Sequence, residues 1–223
     1  EQVTRLGFED VYPVDWAVDL ASIAELARVD EPSLRFEPID RRSPLPPDRP
    51  VFELLREKDR LMRFPEDSFE DTVERFLLEA AEDPDTLSMK ITLYRTSQSS
   101  GVVEALRKAS ARGKEVVALV ELKASFDESR NIEWANELEK AGATVVFSPA
   151  RYKVHAKIAL VARREGEEIR RYAYIGTGNL NAATAATYVD VGVLTADQKV
   201  AAEVGTVFNL LTGYAPAVED TDL

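Results

Sequence analysis

From residue 50 onward, apolar positions alternate between short continuous runs and stripes at helical spacing. Residues 51–58 (VFELLREK) have the pattern of a short helix. Residues 68–83 (SFEDTVERFLLEAAED) open on a capping-box-like pair, Ser68 and Asp71, and then carry apolar residues every three or four positions, which predicts a second helix. Residues 87–94 read as a buried strand, 102–111 as a helix ended by Gly113, and 116–122 (VVALVEL) as another buried strand. A helix over 131–141 and a strand over 144–148 follow. Two longer strands are expected at 155–163 and 169–175, another at 189–194, and a closing helix over 197–211. Strands alternating with helices of this length predict an α/β layered sandwich built on a mixed sheet.

The first 43 residues are less regular. Residues 16–26 (WAVDLASIAEL) have the spacing of one amphipathic helix, and the proline-rich SPLPPDRP, 43–50, forms a break that neither a helix nor a central strand crosses. The expected division is a remnant or linker over 1–43, least ordered where its packing surface is lacking, and a main domain over 44–223. There is no internal repeat.

Composition narrows the function classes. The chain has 223 residues, 45% of them hydrophobic, enough for one sizeable core. No apolar run approaches the roughly 20 residues of a membrane-spanning helix, and the start of the chain does not read as a signal peptide. Cysteine is absent, which removes thiolate chemistry and disulfides and fits a cytoplasmic enzyme. The net charge of −12 argues against a nonspecific nucleic-acid binder. A polyanionic substrate would need a locally basic channel. Positive charge does cluster at Arg151, Lys153 and Lys157, and again at Arg163, Arg164, Arg170 and Arg171.

The candidate chemistry centres on His155, the one histidine of the chain, in KVHAKIALVA. Read as a strand, this segment puts His155 and Lys157 on one face and Val154, Ala156, Ile158 and Leu160 on the other, core-like face. An imidazole beside an ammonium suits phosphoryl transfer: the ring attacks phosphorus and the ammonium offsets charge on the transferring oxygens. Taken alone, such a triplet is more often a surface histidine beside a solvated lysine. The next strand ends in IGTGNLN, 175–181, where small residues let backbone N–H groups approach an anion and Asn179 can donate its amide. By itself this is an ordinary glycine turn.

Together, the HxK strand and the GxGN turn one hairpin later resemble the phospholipase D superfamily signature, with Ala162 where an aspartate is usual. The wider text is similar to long-form polyphosphate kinase: MKITLYRTSQSS, VELKASFDESRNIEWANELEKAGATVVFS, YKVHAKIALVARREGEEIRRYAYIGTGNLN and TADQKVAAEVGTVFNLLTGY, in one order from about Val51 to Tyr214. The resemblance implies a phospholipase-D-like sandwich in which His155 accepts the γ-phosphoryl group of ATP and passes it to polyphosphate, reversibly and with Mg2+. It implies that Arg95 contacts phosphate at the magnesium site, since a guanidinium cannot itself ligate a cation, and that Tyr188 contacts the nucleotide; otherwise Tyr188 would be half-buried strand packing. Glu121, Lys123, Asp127 and Glu128 lie where active sites of such folds collect, or form an ordinary solvated helix start.

Three positions depart from the family pattern. Ser125 and Ala186 stand where arginines are usual, and Tyr152 stands where a leucine is common. Family members are roughly three times this length, so the resemblance implies companion domains or a second copy to complete the site. The other readings are a homodimeric phosphodiesterase of the phospholipase D superfamily and a non-catalytic polyphosphate-binding relic.

Overall fold

A computed structural model describes residues 13, 15, 19–94, 100–121, 135–148 and 154–213. They divide into two compact units, up to Pro38 and from Ile39. In the first, the expected amphipathic helix is a 3-10 helix, Leu20–Arg28, capped by Asp19, whose carboxylate accepts the Ala21 N–H; Trp16 lies outside the described residues. Leu26 stays 68% exposed.

The second unit is built on a seven-stranded mixed sheet: β1 (Arg60–Phe64), β2 (Thr86–Leu93), β3 (Glu115–Val120), β4 (Thr144–Phe147), β5 (Lys157–Glu165), β6 (Glu168–Gly176) and β7 (Asp190–Thr195). Their spatial order is β1-β7-β6-β5-β2-β3-β4. Strands β2, β3 and β4 are parallel; β5 runs antiparallel to β2 and continues antiparallel through β6, β7 and β1. Among the described residues, the helices beside it include α1 (Val51–Glu57), α2 (Arg75–Glu82), α3 (Gly101–Ala111), the single turn α4 (Ala182–Ala185) and α5 (Gln198–Leu211). Residues 135–140 are also helical.

The expected helix over 68–83 is interrupted. Ser68 Oγ accepts the Asp71 N–H at 3.0 Å, but Glu70–Glu74 wind as one wide π turn before α2 begins. The prolines of 43–50 fold back onto α2, where the Arg75 guanidinium donates to the carbonyls of Leu45, Pro46 and Arg49 and buries Leu45. Strand β1 and turn α4 have no counterpart in the sequence expectation. Arg60–Phe64 mixes arginines with apolar residues and forms a strand only because β7 offers it an edge to pair with.

The two faces of the sheet have separate cores. Helices α1–α3 and residues 135–140 cover one, where Phe52 packs on Tyr172 with ring centroids 4.7 Å apart. On the other, α5 places Ala201, Val204 and Phe208 against Ile158, Leu160 and Ala173. This corrects the reading of the histidine strand as core on one face only. Ala159 and Val161, on the side of Lys157, are as buried as Leu160, because β5 is a central strand covered on both faces. No described helix is long and apolar enough to cross a membrane.

Candidate functional site

His155 does not lie in the strand. Residues 154–156 are an irregular entry segment, and β5 starts at Lys157. The physical reason is the end of the β2–β5 ladder: its register stops at the pair Ile91–Ala159, so the backbone before it leaves the sheet. His155 is thereby exposed, while Lys157 is buried. Lys157 Nζ donates to the His155 carbonyl at 2.6 Å and stands 5.7 Å from the centroid of the Tyr94 ring. The ammonium therefore lies against the backbone of His155, and both residues line one cleft, through a bent entry segment and not by strand alternation.

The GTGN turn reaches the same place because β5 and β6 form a hairpin in which Lys157 pairs with Gly176. Three glycines here answer to close approaches. Gly176 and Gly192, paired across β6 and β7, leave room for the ring of buried Tyr174, and a Cβ on Gly178 would collide with the Asp190 carboxylate. Asp190 Oδ1 accepts a hydrogen bond from Thr177 Oγ1 at 2.8 Å, and Thr177 Oγ1 accepts the Val191 N–H at 3.0 Å. Burial, with the Asp190 charge adding to it, pushes the Tyr174 phenol well above its ordinary range and keeps it neutral.

Asn181 then starts turn α4 by accepting the N–H groups of Ala183 and Thr184 at 2.9 and 3.2 Å. The turn delivers Tyr188 to the rim, 63% exposed, ahead of β7 and not packed within a strand. His155, Lys157, Thr177, Asn179, Tyr188 and Asp190 thus line one open cleft of about 390 Å³. Asn179 Oδ1 is buried with no hydrogen-bond partner among the described residues.

Sequence reasoning missed Asp190 and Thr177. The one sequence signal near them is the glycine at 178, where a side chain would meet the Asp190 carboxylate. Of the expected site residues, Arg95 and the departures Ser125 and Tyr152 lie outside the described residues, as do Lys123, Asp127 and Glu128. Ala186 caps turn α4 beside the cleft. Glu121 is 2% exposed, so it is not part of a solvated helix start. The second arginine cluster is not at the cleft. Arg163 is six strand residues beyond Lys157, about 20 Å along β5. There it pairs with Asp83 at 2.6 Å, while Arg170 pairs with Glu165 at 3.1 Å.

Residues 50–217 match the family model described as polyphosphate kinase C-terminal domain 1. The polyphosphate kinase of Streptomyces coelicolor is 43% identical over 220 residues, covering 95% of this chain and 29% of that protein. The polyphosphate kinase of Mycobacterium avium is 47% identical over 223 residues, covering 96% and 30%. Among solved structures, the polyphosphate kinase from Porphyromonas gingivalis superposes with a TM-score of 0.74 at 32% identity, over 88% of this chain and 34% of that one. Nuc from Salmonella typhimurium, a phospholipase D family member, shares the fold with a TM-score of 0.54 at 15% identity, over 73% of this chain and 99% of that one. The chain spans about 30% of the length of the curated relatives it matches.

Proposed function

The chain belongs to the polyphosphate kinase family, and on that premise we propose that it supplies the phosphohistidine half of an ATP:polyphosphate phosphotransferase. The observation that carries this reading is the cleft lined together by the one histidine, a buried lysine, Asn179 and an exposed aromatic rim. An imidazole nitrogen of His155 attacks the γ-phosphorus of ATP. The bond from that phosphorus to the β–γ bridging oxygen breaks, and ADP leaves with the oxygen. A terminal oxygen of polyphosphate then attacks the phosphohistidine and regenerates the ring, and the reverse sequence makes ATP.

Lys157 fixes the backbone of the nucleophile through the His155 carbonyl and offers positive charge to the transferring oxygens. The Asn179 amide donates to phosphate, and the Tyr188 ring offers a stacking face for the base. Asp190 lines the cleft with His155, and in this reading its carboxylate orients the ring or holds its proton. Arg95 contacts phosphate by family resemblance.

Magnesium fits as a companion of the phosphates. No group of three or more His, Cys, Asp or Glu among the described residues is placed to hold a metal. Asp190 nonetheless offers one carboxylate in the cleft, and Mg2+ characteristically takes one or two carboxylates together with substrate phosphates. When bound there it supplies charge neutralisation on the phosphates. The site is completed by companion domains or a second copy, and the reaction is placed in the cytoplasm, where ATP is available.

The test is incubation of the intact protein with ATP and Mg2+, and separately with polyphosphate, followed by intact mass. An acid-labile, base-stable phosphate that disappears in His155→Ala is expected. An adduct that survives that substitution would remove His155 from the mechanism. Ala186→Arg, which returns a guanidinium beside the cleft, is expected to raise ATP affinity about tenfold, the scale of one charge-assisted contact of ~1.5 kcal/mol.

A further inference from the structure

Among the described residues, three side chains hold the segment that carries His155. Glu121, the residue after β3, is 2% exposed, and its carboxylate accepts the Val154 N–H at 2.6 Å. Thr92, in β2 and 5% exposed, does two things with one hydroxyl: it accepts the Ile158 N–H at 3.0 Å and donates to the Ala156 carbonyl at 2.8 Å. With Lys157 on the His155 carbonyl, the backbone on both sides of the histidine is tied down just where the β2–β5 ladder has ended.

Ordinary strand pairing would satisfy these groups with backbone partners. It would also carry His155 into the sheet, with its side chain in the buried layer that Lys157 occupies. Replacing the ladder by a carboxylate and a hydroxyl leaves the segment bent outward, yet without the freedom of a loop. Burying a carboxylate is costly unless it is hydrogen-bonded, so Glu121 gains by holding Val154 and Val154 is held firmly in return.

We infer that Glu121 and Thr92 are positioning residues that fix the His155 imidazole for phosphoryl transfer. The inference rests on the phosphohistidine reading above. Both side chains are buried, and each acts through the backbone of the nucleophile. Misplacing a reacting group by about 1 Å costs on the order of 100-fold in rate, so removing one clamp is expected to slow transfer and leave nucleotide binding as it was.

The experiment compares Thr92→Val, which keeps the shape and loses the hydroxyl, with Thr92→Ser, which keeps it. Glu121→Ala is compared with Glu121→Gln, which retains an acceptor oxygen for the Val154 N–H. In the intact protein at saturating ATP, the rate constant and the amplitude of His155 phosphorylation are measured in a single turnover, with amide exchange at Val154 and Ile158. The expected result is a rate constant lowered about 10- to 100-fold in Thr92→Val and Glu121→Ala, with ATP affinity unchanged. Exchange should quicken at Ile158 and Val154 respectively, and Ser and Gln should restore most of the rate. A loss confined to the amplitude would mean that the clamp only keeps the protein folded, and would overturn the positioning role. A wild-type adduct whose rate survives both truncations would sink that role alone, whereas no adduct on wild-type His155 would sink the phosphohistidine reading and the inference with it.

Discussion

Replacing Gly192 by alanine tests how tightly the β6–β7 pair is packed against Tyr174. Gly192 in β7 pairs with Gly176 in β6, and the ring of Tyr174 lies across the pair. A Cβ on Gly192 would sit 2.7 Å from Tyr174 Cε2, 2.7 Å from its hydroxyl oxygen and 3.0 Å from Cζ. Such contacts fall well inside van der Waals distance, and the ring cannot swing away, because Tyr174 is 1% exposed in the main core. Overpacking of this kind costs about 1–3 kcal/mol, and a rigid ring on one side with paired backbone on the other puts the expected loss near 2–3 kcal/mol. With a urea m-value of about 2 kcal/mol/M for a unit of this size, the unfolding midpoint should fall by about 1–1.5 M. The same substitution in a Tyr174→Leu background should cost much less, because the obstructing ring is gone, and a double-mutant cycle reads that coupling directly. A midpoint within about 0.2 M of wild type, or additivity in the cycle, would refute the placement of the ring over the glycine pair.

Gly205, on helix α5, is the opposite case. Its added Cβ would meet only Leu160 Cδ2, at an ordinary 3.6 Å, so Gly205→Ala should stabilise by about 0.5–1 kcal/mol through helix propensity. A lowered urea midpoint would contradict that. Acid sensitivity should trace to Glu165. Burial by itself would raise its pKa, but the Tyr172 hydroxyl and the Arg56 and Arg163 guanidinium groups outweigh burial and hold it below the ordinary 4.5. A carboxylate depressed in the folded state contributes stability that is full above its unfolded pKa and is lost as pH falls through the folded value. Urea midpoints should therefore drop below pH 4.5 in wild type, and this part of the decline should be missing in Glu165→Gln.

The sequence by itself determined most of the kinds of element and singled out the histidine proposed as nucleophile. Two-residue and helical periods are local, so β2, α3, β3, β4 and α5 could be read from 87–94, 102–111, 116–122, 144–148 and 197–211 with errors of a residue or two. His155 and Lys157 stood out because reactive side chains are few in a chain with one histidine and no cysteine. What periodicity cannot carry is which strands become neighbours. Arg60–Phe64 is a strand only in partnership with β7, and both faces of β5 are core only because β2 and β6 flank it and α5 covers its second side. The cleft is likewise a product of pairing: the β5–β6 hairpin and the return of β7 bring Asp190 to the histidine from 35 positions along the chain. The outward bend of His155 had no sequence signal. It arises where one ladder ends and two side chains from other strands, Thr92 and Glu121, take up the backbone groups it leaves. Such contacts join residues about 30 to 65 positions apart in sequence, and only closing the sheet brings them into reach.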